Sequence, residues 1–227
     1  MKTISEKRAL ERLKNIKADF TALIKTNYGH RAKSCLTCET PGACCLDAHF
    51  VNVHISRLEA KAIRNALERL PEKTQSVVYF RVEETIEKYG LSAEGDTFAQ
   101  TYACPLFEKG IGCLVHATGK PVPCIQHACY ENADDLPPDA LAAKQENLID
   151  DLNYRTYGRP QPWLPLPVAL SRNPLGFLSQ NKREHQSRQE PARDLIDQFP
   201  SNEISRKTVP VPVRNVDREP SRKADQR

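Results

Sequence analysis

Eight cysteines, Cys35, Cys38, Cys44, Cys45, Cys104, Cys113, Cys124 and Cys129, fall within the central part of a 227-residue chain. Cys35-Leu-Thr-Cys38 is a C-x-x-C pair, a spacing that lets one tight turn aim two thiolates at a single metal ion. The other six lie in segments punctuated by Gly or Pro: Thr40-Pro-Gly-Ala-Cys44-Cys45, Cys104-Pro-Leu-Phe-Glu-Lys-Gly-Ile-Gly-Cys113, and Pro121-Val-Pro-Cys124-Ile-Gln-His-Ala-Cys129. Such loops can wrap a metal, whereas a merely structural cysteine would sit in the apolar stripe of a helix. Eight thiolates suffice for two four-ligand sites, holding either iron–sulfur clusters or zinc. The adjacent pair Cys44-Cys45 complicates that count, because neighbouring side chains tend to point apart, leaving one free or assigned elsewhere. A redox pair at Cys35 and Cys38 is the competing chemistry, but its usual context is a helix following a strand, which is missing here.

His49, His54, His116 and His127 lie near cysteines, and any of them could replace a thiolate, as in mixed zinc sites or Rieske-type clusters. His127, between Cys124 and Cys129, is the best placed; the others read first as surrounding or exposed groups. Asp47 reads as a loop carboxylate. Tyr102 and Phe107 flank Cys104 and are assigned to packing, which would also keep water from a cluster.

The elements that must position these groups are mainly helical. Leu10, Leu13, Ile16, Phe20, Leu23 and Ile24 form an amphipathic stripe over residues 5–25, stopped by Tyr28-Gly29. Val51, Val53 and Ile55 alternate with polar neighbours as a short strand does. Ser56-Arg-Leu-Glu59 is a capping box that opens a helix carrying Leu58, Ala62, Ile63, Ala66, Leu67 and Leu70. Pro71 starts the next helix at its first position, with Val78, Val82, Ile86 and Tyr89 on one side and Gly90 at its end. The Cys104–Cys113 segment, with Gly110 and Gly112, predicts a hairpin, and 138–154 predicts a last helix carrying Leu141, Leu148, Ile149 and Leu152. No internal repeat is present.

The fold class expected is mainly α with short strands or a hairpin: a small cysteine-rich metal-binding domain followed by a disordered tail. Residues 1–34 supply an N-terminal amphipathic helix packing on the core, and 35–160 the cysteine-cluster domain. Residues 161–227 supply a Pro-rich, mixed-charge tail that is extended or disordered, with Trp163 able to dock back. The chain has a formal charge of +4, and residues 172–227 carry twelve Lys/Arg against eight Asp/Glu, which leaves twenty-one of each before them. The excess therefore belongs to the tail, and charge makes no case for nucleic-acid binding. No apolar run reaches a membrane-spanning length and no signal peptide opens the chain, so a cytoplasmic location is expected. In that reducing compartment the cysteines point to metal ligation rather than four disulfides.

The run from Cys35-x-x-Cys38 to Cys44-Cys45, followed by Val51-Asn-Val-His-Ile-Ser-Arg-Leu-Glu59, resembles the cysteine-cluster family named for its CxxCxxCC motif, described as zinc- or iron-chelating. Cys104-Pro-Leu-Phe, Gly112-Cys113 and the closing Cys124 to Cys129 follow that family's order over residues 35–130. Five residues rather than two or three separate Cys38 from Cys44, and Lys120-Pro-Val-Pro-Cys124-Ile replaces the family's R-P-x-x-C-R segment. The resemblance implies iron–sulfur or zinc chelation, with all eight cysteines as ligands and Cys35, Cys38, Cys104, Cys113, Cys124 and Cys129 as the firmest. One branch of the family includes a flagellin lysine N-methylase; no G-x-G-x-x-G stands here for a methyl-donor site. The function expected is therefore an iron–sulfur protein that transfers electrons or supports a partner enzyme. The alternative is a structural zinc module presenting a protein-interaction surface, and an iron–sulfur-dependent protein-modifying enzyme such as a lysine methylase comes third. A protein partner is implied, with neither nucleic acid nor membrane.

Overall fold

Ser5 and Ser56 each open a helix in the same way, with extended backbone and a hydroxyl turned to an otherwise unpaired amide. The structure, a computed structural model, describes residues 3–33, 42–46, 51–127, 129–130 and 132–172. Helix α1 (Glu6–Asn27) buries Ala9, Leu13, Lys17, Phe20 and Ile24, spaced by three and four as one face of a helix requires. Leu10, Ile16 and Leu23 border that face and are half-buried. Helix α3 (Arg57–Leu67) carries the expected capping box: Ser56 Oγ accepts the Glu59 N–H at 3.3 Å, and the Glu59 carboxylate accepts the Ser56 N–H at 3.2 Å.

Helix α3 is apolar on two sides, and this organises the molecule. Leu58 and Ala62 pack with α1, the one-turn helix α5 (Val122–Gln126) and α6 (Asp139–Tyr157). Ala60, Ile63, Ala66 and Leu67 pack instead with α4 (Glu72–Tyr89) and α7 (Leu166–Ser171). Two apolar clusters thus share α3 as a common wall. Across that wall Lys17 Nζ of α1 lies 3.0 Å from Glu59 Oε1, with the Glu59 side chain wholly out of solvent. Asn153 of α6, also fully buried, accepts the Leu58 N–H at 3.1 Å and donates to the Ile149 carbonyl at 2.8 Å.

Helix α4 begins at Glu72, because Pro71 holds extended backbone as the cap rather than the first helical residue, and it ends at Gly90 with φ +60°. Helix α6 runs to Tyr157, three residues past the expected end. Ile149 and Leu152 are buried while Leu148, one step off that face, is exposed. The strands are two residues long and pair antiparallel: β1 (Ala32–Lys33) with β5 (Cys129–Tyr130), β2 (His54–Ile55) with β6 (Leu164–Pro165), and β3 (Phe107–Glu108) with β4 (Gly112–Cys113). The last is the hairpin expected between Cys104 and Cys113. Around β2 burial does not alternate: His54, Ile55 and Ser56 are all buried, because the strand is covered on both faces.

The tail boundary at 161 is corrected by the structure. Leu166, Pro167, Val168, Ala169 and Leu170 of α7 are all buried, against α4 and α3. Leu166 N–H donates to the Val53 carbonyl at 2.9 Å, and Trp163 packs on the α1–α6 cluster while donating to Asp150 at 2.9 Å. The Pro-rich composition concealed an apolar plug of the core. Residues 173–227, most of the expected tail, lie outside the described residues. Among the described residues no helix is long and apolar enough to cross a membrane.

Candidate metal centre

Gly42 sets up the first cysteine pair. Its φ of +83° turns the chain into the single helical turn α2 (Ala43–Leu46), whose Cys45 and Leu46 amides donate to the Gly42 carbonyl at 2.9 and 3.0 Å. A side chain here would strike the Phe107 ring, 1.9 Å from where a Cβ would stand. Glycine therefore lets α2 lie directly on the β3–β4 hairpin. The Cys104 N–H donates to the Cys45 carbonyl at 2.8 Å, and the Tyr102 N–H to the Val51 carbonyl at 3.0 Å. Two cysteine segments nearly sixty residues apart are thereby tied backbone to backbone.

Each cysteine of the hairpin opens a turn that bends its own backbone amides toward the sulfur. The nearby backbone amides of Leu106 and Phe107 lower the pKa of Cys104, and that of Val115 lowers the pKa of Cys113. The Leu114 N–H closes the hairpin onto the Leu106 carbonyl at 3.0 Å. Cys124 arrives on α5, which starts after the extended Pro121. Short helices at α2 and α5 thus stand where loops were expected.

The thiols of Cys45, Cys104, Cys113 and Cys124 lie close enough to raise one another's pKa. Burial pushes Cys45 up to about 12, with the charges of Cys44, Cys104 and Cys113 adding to it. Burial likewise pushes Cys104 up to about 11, opposed by its amide donors and by Arg81. Cys124 is raised further still by burial and by Cys104, against Lys120. Cys113 is raised by burial and held back by the Val115 amide and Lys120. In this state the four groups are neutral thiols, since several thiolates packed together out of water repel one another. A central cation is what would allow them to ionise together.

Cys44, next to Cys45 in α2, adds to the rise in the pKa of Cys45. None of Cys44, Cys45, Cys104, Cys113 and Cys124 is in a disulfide. Among the described residues, no three His, Cys, Asp or Glu side chains stand in an arrangement that grips one metal ion. Cys35, Cys38, His49 and Asp47 lie outside the described residues. The backbone of Cys129 pairs with Lys33, two positions before Cys35 in sequence. Comparison with protein-family models, curated proteins and solved structures yields no match.

The histidines take other places. His54 is buried in β2 with Phe98 stacked on its ring at 4.3 Å, and burial lowers its pKa. His116 is exposed overall, and partial desolvation of its ring, then the charge of Lys120, lower its pKa. His127 caps the end of α5 and is exposed. Arg81 and Lys120 are the groups that spacing alone did not single out. Arg81 reaches from α4 to the Phe107 carbonyl at 2.8 Å and to Glu108 at 2.6 Å, so its charge is fixed beside Cys104. Lys120 stands where the resembled family has arginine, and its charge acts on both Cys113 and Cys124. The alternation of α4 could have exposed Arg81 as the polar residue next to Val82, but only the fold reveals which loop it meets.

Proposed function

We propose that this protein holds a thiolate-bound metal centre and that Cys45, Cys104, Cys113 and Cys124 are among its ligands. The observation that carries the reading is that four free thiols from three separate segments lie near enough for their charges to act on one another, with Arg81 and Lys120 acting on the same groups. An iron–sulfur cluster suits this setting, since N–H donors and nearby positive charge stabilise the electron-rich sulfurs of a reduced cluster. The protein then serves electron transfer or supports a partner enzyme, in a compartment reducing enough to keep its thiols free. Membership of the CxxCxxCC cysteine-cluster family, with Cys35, Cys38, Cys44 and Cys129 completing the ligand set, belongs to the same proposal. Structural zinc holding a protein-interaction surface is the alternative, because the same all-sulfur set suits that ion.

The test is an absorbance spectrum of protein purified without oxygen, with iron, sulfide and zinc measured on the same sample. Matched iron and sulfide, with a broad band near roughly 400 nm, is the result expected of a cluster. Stoichiometric zinc in colourless protein replaces the redox reading with the structural one. Absence of any metal after supplementation, or full metal retention in a Cys104→Ser/Cys124→Ser variant, overturns the centre itself.

A further inference from the structure

One wall of a long open cleft is the outer face of α1. The cleft encloses about 1070 Å³, at the upper end for a small-molecule site, and follows α1 from Lys7 to Lys25. The eighteen steps from Lys7 to Lys25, at about 1.5 Å each, make it about 27 Å long. The opposite wall is the C-terminal half of α3, with Ala62, Asn65 and Ala66, then Arg69 just past its end, and the loop from His116 to Lys120. Leu10, Leu13, Ile24 and Ile125 contribute its apolar floor. Ala18 and Ala22, both exposed and small, keep the middle of the α1 wall low.

Charge in this cleft is one-sided. Among the described residues, Lys7, Lys14, Lys25, Arg69 and Lys120 have no carboxylate partner. Lys17 is committed to Glu59 at 3.0 Å. Glu6 accepts the Tyr157 hydroxyl at 3.0 Å and lies 3.7 Å from Lys61, which leaves Glu11 as the remaining uncommitted acid. Residues 1–171, balanced in charge overall, thus concentrate positive charge along one apolar trough.

We infer that this cleft docks an acidic, apolar-anchored peptide segment of a partner protein. Its length accommodates about 18 residues of helix or about 8 of extended chain, more than a compact metabolite needs. Helix-in-groove docking uses this combination of apolar floor and charged rim. A nucleic acid would need aromatic stacking surfaces, and no Phe, Tyr or Trp lines the cleft. The chain's own residues 173–227 carry more Lys/Arg than Asp/Glu, and a second copy would bring a second basic trough, so neither matches the charge of the rim as an acidic segment does. The inference is independent of the metal centre, although residues of the loop between Cys113 and Cys124, from His116 to Lys120, line the cleft.

The experiment is selection of a random peptide display library on the full chain, with two variants as comparators. Lys7→Glu/Lys14→Glu reverses the rim at two exposed positions, and Ala18→Trp fills the trough without changing charge. Circular dichroism verifies that both stay folded. The expected result is enrichment of peptides rich in Asp or Glu with spaced apolar residues. These should bind each variant about tenfold or more weakly, and weaken with added salt. Enrichment of neutral or basic peptides, no enrichment, or equal binding to the variants overturns the inference. Tighter binding of single-stranded polydeoxythymidine than of the selected peptides overturns it in favour of nucleic acid. Metal content measured on the same samples separates this outcome from that of the metal centre.

Discussion

Replacing Lys17 by Met isolates the ion pair that joins α1 to α3. The Glu59 side chain is wholly buried, its Oε1 lies 3.0 Å from Lys17 Nζ, and its Oε2 accepts the Ser56 amide at 3.2 Å. Methionine fills nearly the same volume, so little packing is lost, but the carboxylate is left without its cation. Removing one member of a buried pair costs about 3–5 kcal/mol, since the remaining charge keeps its desolvation penalty. For a domain of this size each kcal/mol lowers Tm by about 2–4 °C, so Lys17→Met should melt roughly 6–20 °C lower. Glu59→Gln is milder. It retains an oxygen for the Ser56 amide, and the Lys17 side chain, already 10% exposed, can extend toward water. The double substitution should therefore cost less than the two single ones together, by about 1 kcal/mol or more. Urea unfolding followed by circular dichroism, with an unchanged m-value, provides the assay. A cost below about 1 kcal/mol for Lys17→Met, or additivity within about 0.5 kcal/mol, would refute the reasoning.

Gly42→Ala should lower metal content per chain while leaving helix content intact, because a Cβ there meets the Phe107 ring at 1.9 Å and pushes α2 off the hairpin. Gly95→Ala, also at positive φ but with nothing within 4 Å, is the control that carries backbone strain alone, and metal analysis of both variants checks the contrast. Tyr102→Phe should destabilise by about 1–3 kcal/mol in denaturant titration, since its hydroxyl bonds the Val53 carbonyl and accepts the Leu166 N–H at 3.1 Å in a dry site. Burial, and then the charge of Glu59, raise the pKa of Glu146, so its contribution is fully present below the unfolded carboxylate value and is lost as pH rises through the folded one. Glu146→Gln should therefore raise Tm slightly at pH 7 and leave it unchanged in acid, where the carboxyl is already protonated; thermal melts at the two pH values decide it.

The helices were legible because three- and four-residue apolar spacing and Ser caps are local signals. Ser56-Arg-Leu-Glu59 forms the box it spells, and Gly90 ends α4 as its position suggests. What escaped the sequence was decided by contacts across the chain. Leu164-Pro-Leu-Pro-Val-Ala-Leu170 has the prolines of a linker, yet its apolar residues fit between α3 and α4. No local signal singles out Lys17; its role follows from Glu59 lying opposite it in the fold. At the candidate centre the cysteine segments could be named from spacing, but the roles of Gly42, Arg81 and Lys120 depend on which loops meet. Those meetings are fixed by the Cys104–Cys45 and Tyr102–Val51 backbone bonds, between residues fifty or more positions apart.

The pairing of β2 with β6 also sets an order of events during synthesis. His54 pairs with Pro165, and α7 follows immediately, so the apolar cluster around α4 lacks a wall until residue 170 has been made. Cys129 precedes that residue by 41 positions, a delay of about 2–8 s at about 5–20 residues per second. For that interval the growing chain holds its complete set of thiols with part of its interior still open. Incoming ions and chaperones meet thiols such as Cys104, Cys113 and Cys124, which the finished protein half-buries, and a ribosome stall before Leu164 would prolong that exposure.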